Sequence, residues 1–184
     1  MEENSKLDGI YRFPATPNRY RYIMNSHQVK VVKKFDKSQN EVYESIINKN
    51  GKPVFMSLLY VAAAPELAKN FFVQCLEDYN MMDGASGEEN NLMSVCKICE
   101  DGIMRTLSTI HNTVLYTMCI PETEAFMWTV VYELGYLPGH TPLFDLTIPD
   151  LDGKEKDTEE KTQQPTDNKD NNSDGGNNID GTKC

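Results

Sequence analysis

The residues with the most obvious chemistry are two cysteines at CxxC spacing, Cys96-Lys97-Ile98-Cys99. Two thiolates so placed can share a zinc ion or cycle as a redox couple. A tetrahedral zinc site needs two further ligands, and His111, Cys119 and His140 form no second knuckle. A redox pair belongs between a strand and a helix, whereas the local periodicity puts this motif in the middle of a helix, so structural thiols are expected. The three histidines, His27, His111 and His140, adjoin no nucleophile elbow. Gly84-Ala85-Ser86-Gly87 lacks the Lys-Ser/Thr of a phosphate loop and reads as a flexible connector. Glu66 and Glu122 each follow a proline at a helix start, where the helix dipole explains them without an acid–base role. No catalytic, cofactor-binding or metal-binding residue is assigned.

A second constellation is basic and aromatic. Arg12, Arg19, Arg21, Lys30, Lys33, Lys34 and Lys37 fall close together, interleaved with Tyr11, Phe13, Tyr20 and Tyr22. Cations next to aromatic rings can hold single-stranded nucleic acid by phosphate contact and base stacking. The nucleic-acid-binding set would be Arg12, Arg19, Tyr20, Arg21, Tyr22, Lys33 and Lys34; the plainer account is a solvated strand face.

Those side chains need elements to carry them. Arg19 to Met24 alternates, Val29 to Phe35 alternates less cleanly, and Asn25-Ser26-His27 lies between, which predicts a β-hairpin. Ser38 to Asn48 reads as a short helix capped by Ser38 with Glu41, and Gly51 follows its end. Val54 to Val61 is nearly continuous in apolar residues, as in a strand covered on both faces. Pro65-Glu66 then opens a helix through Leu67, Phe71, Cys75 and Tyr79. From Glu88 to Ile110 the apolar spacing of three to five favours a helix. Thr113 to Ile120 is a second buried strand, and Pro121-Glu122 opens an amphipathic helix that stops at Gly135. Leu143 to Ile148 is a final strand. The expected fold is a single α/β (α+β) domain, a mixed sheet covered by helices in the order β-β-α-β-α-α-β-α-β, acetyltransferase-like in outline. The strand-Pro-Glu-helix unit occurs twice, 56 residues apart, which repeated helix-entry physics explains.

Length and charge frame this domain. A chain of 184 residues suits one core without staples. Residues 1–9 are expected to be a flexible N-terminus, 10–149 the globular domain and 150–184 a disordered acidic tail. That tail holds ten acids against five lysines, half of the net charge of −10, and too few apolar residues to offset the entropy of ordering it. The longest apolar stretch, residues 53–67, is shorter than the ~20 residues a bilayer requires. With no export segment recognised at the N-terminus, the expected location is cytoplasmic, nuclear or both, with reduced thiols and no membrane partner. Asn171-Asn172-Ser173 and the terminal Cys184 support neither glycosylation nor prenylation in that setting.

One ordered set of residues resembles the ornithine decarboxylase antizyme family. Leu58-Leu59-Tyr60-Val61, Pro65 and a helix with Phe72 and Cys75-Leu76-Glu77 are similar to the family's first strand and helix. Val114-Leu115-Tyr116, Glu122 and Glu124, Leu134-Gly135-Tyr136 and Pro138-Gly139-His140-Thr141-Pro142-Leu143 follow in the family's order. The chain departs from the pattern in a longer segment between the two units, an arginine-poor second helix and one extra residue in the last motif. The resemblance implies an acetyltransferase-like fold without catalysis. It also implies an acidic surface, here Glu77 and Asp78, that binds the decarboxylase subunit, blocks its homodimer and directs it to the proteasome, in polyamine homeostasis. The function expected is therefore a non-enzymatic regulatory, protein-binding module without a cofactor. The alternatives are an RNA-associated adaptor using the basic-aromatic hairpin and an acetyltransferase-like enzyme, for which no glycine-rich pyrophosphate loop is found.

Overall fold

Thr16 and Pro17 decide the first element. The Thr16 hydroxyl accepts the Arg19 amide, Pro17 presets the first turn, and the chain runs as a helix, α1, over Pro17–Ser26. Tyr20, Ile23, Met24 and His27 are spaced to share one face, and the first three are buried. The expected strand over Arg19–Met24 is thus a helix, because capping and a buried 3–4 spacing override a short alternation of Arg and Tyr. The computed structural model describes residues 11–140. The strand expected over 143–148, the N-terminal residues 1–9 and the acidic tail lie outside them.

Within the described residues the protein is a single α+β domain: a seven-stranded antiparallel sheet with three helices. After α1 come β1 (Val32–Phe35), β2 (Glu41–Lys49), β3 (Lys52–Val61), helix α2 (Pro65–Asp78), β4 (Ala85–Glu89), β5 (Leu92–Ile98), β6 (Met104–Ile110) and β7 (Thr113–Cys119). A single 3-10 turn, Pro121–Thr123, then leads into α3 (Glu124–Leu134). The sheet order is β1-β2-β3-β7-β6-β5-β4, two meanders joined where β3 lies beside β7. Every pairing is antiparallel, so the sheet is not mixed and the element order is α-β-β-β-α-β-β-β-β-α.

Two further helices expected from sequence are strands, and the turns explain why. Asn50 and Gly51 both have positive φ (53° and 74°) and close a two-residue hairpin that pairs Lys49 with Lys52. That turn makes residues 41–49 the strand partner of β3. Similarly, left-handed Asn90 and His111 close the β4–β5 and β6–β7 turns, dividing the expected helix of 88–110 into β4, β5 and β6. The strands expected over 54–61 and 113–120 and the helices after Pro65 and Pro121 stand where the sequence puts them, and α3 ends at Gly135 with φ 90°.

The sheet is packed on both faces. Tyr43, Phe55, Leu59, Leu115 and Cys119 meet Tyr20 and Met24 of α1 and Met127, Val130 and Val131 of α3 on one face. Leu58, Leu107, Val114 and Tyr116 meet Ala68, Phe72 and Cys75 of α2 on the other. Each fully buried Leu or Met contributes roughly 1.5–3 kcal/mol, so the central β3 and β7, apolar on both sides, anchor the fold.

Candidate binding surface

The basic stretch does not stay together. Arg12 is 5 % exposed and serves as a clasp. Its amide donates to Asn91 Oδ1 (2.8 Å) and its carbonyl accepts from Asn91 Nδ2 (2.7 Å), so the Asn91 amide holds this backbone as a neighbouring strand would. Its guanidinium donates to the carbonyls of Gly135 (2.8 Å) and His140 (3.0 Å) and to Glu89 Oε2 (3.2 Å). The N-terminal segment, the β4–β5 turn and the end of α3 are thereby tied at one point. Glu89 also accepts the Gly139 amide, and that bond first, then Arg12, holds its carboxyl below the usual range. Tyr11 and Phe13, on either side of Arg12, are exposed and meet edge to face at 5.8 Å.

Tyr20 is buried too. Its hydroxyl bonds to Ser45 Oγ at 2.9 Å and to the Ser57 carbonyl at 3.1 Å, and burial pushes its pKa up to about 12. The structure therefore withdraws Arg12 and Tyr20 from the surface, because each satisfies buried polar groups elsewhere. Arg19 is half-buried on α1 and Tyr22 is exposed there.

Of the remaining cations, Arg21 and Lys33 meet at the Tyr43 ring, on the face of the sheet that α1 covers, while Lys34 lies on the other face. The Arg21 guanidinium lies 5.2 Å from the Tyr43 ring centre. Lys33 Nζ lies 5.6 Å from the Phe35 ring and 6.0 Å from that of Tyr43. Lys33 also pairs with Glu41 at 3.7 Å, and Lys34 with Glu44 at 2.8 Å. All four residues of β1 are exposed, Phe35 at 62 %. Among the described residues no strand lies outside β1. Sequence reasoning missed Tyr43 and Phe35 as members of this corner. The Asn50-Gly51 hairpin signal would have found Tyr43 by making its segment a strand.

Glu77 and Asp78 are exposed on the last turn of α2, where Gln74 Nε2 donates to Asp78 at 3.0 Å. No basic residue occupies that turn. Carboxylates at a helix C-terminus oppose the helix dipole, so helix stability does not explain them.

The two thiols of the CxxC motif lie on opposite sides of the sheet. Cys96 on β5 faces Thr106 on the side of α1 and α3 and packs against their core. Cys99 Sγ lies 3.7 Å from Arg105 Nη1, which also reaches the Tyr79 carbonyl at the end of α2, on the opposite side. The CxxC pair therefore forms neither a chelate nor a couple, and it lies at the end of β5, not in mid-helix. Burial raises the pKa of Cys96, pushes Cys75 up to about 12 and Cys119 up to about 11, so these groups are neutral thiols near pH 7. His27 bonds Glu133 at 2.9 Å, while His111 and His140 occupy separate turns. Among the described residues no group of three or more His, Cys, Asp or Glu could hold a metal, and no helix is long and apolar enough to cross a membrane.

Compared with family models, curated proteins and solved structures, the chain matches none.

Proposed function

We propose that the protein is a non-enzymatic regulatory module that works by binding another protein. The observation that carries this reading is the β1 edge, where Val32, Lys33, Lys34 and Phe35 are all exposed and no described strand lies outside them. Exposed aromatics with cationic neighbours are the usual anchors of a protein interface. Arg12, Tyr20 and the buried thiols, by contrast, are occupied in holding the fold.

The specific form of the proposal, drawn from the family resemblance, is antizyme-like inhibition of ornithine decarboxylase through Glu77 and Asp78 in polyamine homeostasis. Their exposure at a helix end that disfavours them supports it. Co-sedimentation of the purified chain with ornithine decarboxylase, with loss of decarboxylase activity, tests it. Glu77→Lys with Asp78→Lys abolishes both effects if the reading holds; an unaffected decarboxylase rejects that partner.

A nucleic-acid-associated adaptor is the second reading, favoured by Arg21 and Lys33 over the Tyr43 and Phe35 rings. It requires RNA affinity that falls steeply with salt and drops when Arg21 and Lys33 are replaced. No RNA binding at low salt ends it.

A further inference from the structure

The geometry points to β1 as a docking edge that accepts an extended acidic segment of a partner protein as an added antiparallel or parallel strand. This rests on the protein-binding reading and names the surface and the chemistry of its occupant.

The phase of the β1–β2 ladder comes first. The Asp36 amide donates to the Asn40 carbonyl at 3.1 Å, and the Gln39 amide, at φ 62°, returns to the Asp36 carbonyl. Residues 36 and 40 are thus a hydrogen-bonded pair. In an antiparallel ladder such pairs alternate, so the pairs Lys34↔Val42 and Val32↔Glu44 are bonded inward. The amides and carbonyls of Lys33 and Phe35 consequently point away from β2, toward the open edge. A strand can add there through main-chain hydrogen bonds without disturbing the existing ladder.

The side chains then specify the occupant. Lys33 and Phe35 lie on the face of Tyr43, while Val32 and Lys34 lie on the face of Val42. Each face of the edge offers one cation and one exposed apolar group. A complementary strand places an acid opposite each lysine and an apolar residue opposite Val32 and Phe35, giving apolar-acid-acid-apolar. That pattern reads the same in both directions, so it fits either strand sense. Lys30 and Lys37 are exposed just beyond the two ends and extend the preference for negative charge. Glu41 and Glu44, now paired with Lys33 and Lys34, are partly buried, yet each makes a single surface ion pair of the weak kind that an incoming carboxylate can exchange.

The test uses the full chain and a capped Ser-Val-Glu-Glu-Phe-Ser peptide, titrated by calorimetry and followed by amide hydrogen exchange. Saturable binding is expected, with new protection at the Lys33 and Phe35 amides. Affinity should fall about tenfold when Lys33→Glu and Lys34→Glu are combined. It should be lost when the second glutamate amide of the peptide, which faces the edge in either strand sense, is N-methylated, a change that preserves charge and removes a main-chain donor. Equal binding of the methylated peptide overturns the proposal, since charge alone then suffices. It is also overturned if the peptide fails while a single-stranded RNA oligonucleotide saturates the same corner. Failure of the peptide with undiminished capture of ornithine decarboxylase sinks strand addition and leaves the protein-binding reading standing.

Discussion

Arg12 and Lys33 belong to one basic stretch of sequence and meet opposite fates. Arg12 is enclosed and spends its fork on two carbonyls and a carboxylate, so its charge fastens three segments. Lys33 leans over two aromatic rings at a strand edge, where its charge faces solvent. The difference teaches that a cation's role is set by what its nitrogens can reach: two carbonyls and a carboxylate make Arg12 a structural clasp, whereas an exposed ring at the sheet edge leaves the Lys33 charge at the surface, where the proposed docking would use it.

The comparison breaks first at Arg12. Replacing it with alanine leaves the Gly135 carbonyl without its donor and should cost about 3 kcal/mol in urea unfolding. Arg12→Lys should recover little, because one ammonium cannot reproduce the fork. A loss below about 1 kcal/mol would deny the clasp. Tyr20→Phe removes the bonds to Ser45 and Ser57 and should cost about 1–2 kcal/mol by the same assay, with packing retained.

Acid sharpens the contrast. The Glu89 carboxyl is held below its ordinary value of 4.5, first by the Gly139 amide and then by Arg12. Its contribution to stability is complete above about pH 4.5 and is lost as pH falls through the lowered value. Glu89→Gln should therefore flatten the fall in stability below that pH and leave Lys33 variants, compared in parallel, unaffected in slope. The smallest effect belongs to the edge: Lys33→Ala and Lys34→Ala should change folding stability by less than about 0.5 kcal/mol while weakening partner binding. A large stability loss there would make the edge lysines part of the fold.

Legibility in the sequence followed the strength of local signals. Pro65-Glu66 and Pro121-Glu122 marked helix starts, and unbroken apolar runs marked β3 and β7, because buried central strands and proline-led helices leave unambiguous patterns. The rest was lost to short windows. Val42, Ile46 and Ile47 fit one helical face, yet Val42 and Ile46 flank opposite sides of the strand from Tyr43, Ser45 and Ile47 once Asn50-Gly51 closes its turn. Arg19-Tyr20-Arg21-Tyr22 alternates in type, but the burial of Tyr20 against exposed Tyr22 follows the helix begun at Thr16. The Lys33, Tyr43 and Arg21 corner could not be seen because its members come from β1, β2 and α1, and only the register between them brings them together.

Native-state hydrogen exchange on the free full-length chain tests the division most directly. The Tyr136 amide, bonded to the Val131 carbonyl beside the Arg12 clasp, should exchange only through global unfolding. The Lys33 and Phe35 amides should exchange with almost no protection, since no described strand pairs with their edge. Comparable protection at Lys33 and Phe35 in the free protein would contradict the account, because the edge would then already be filled.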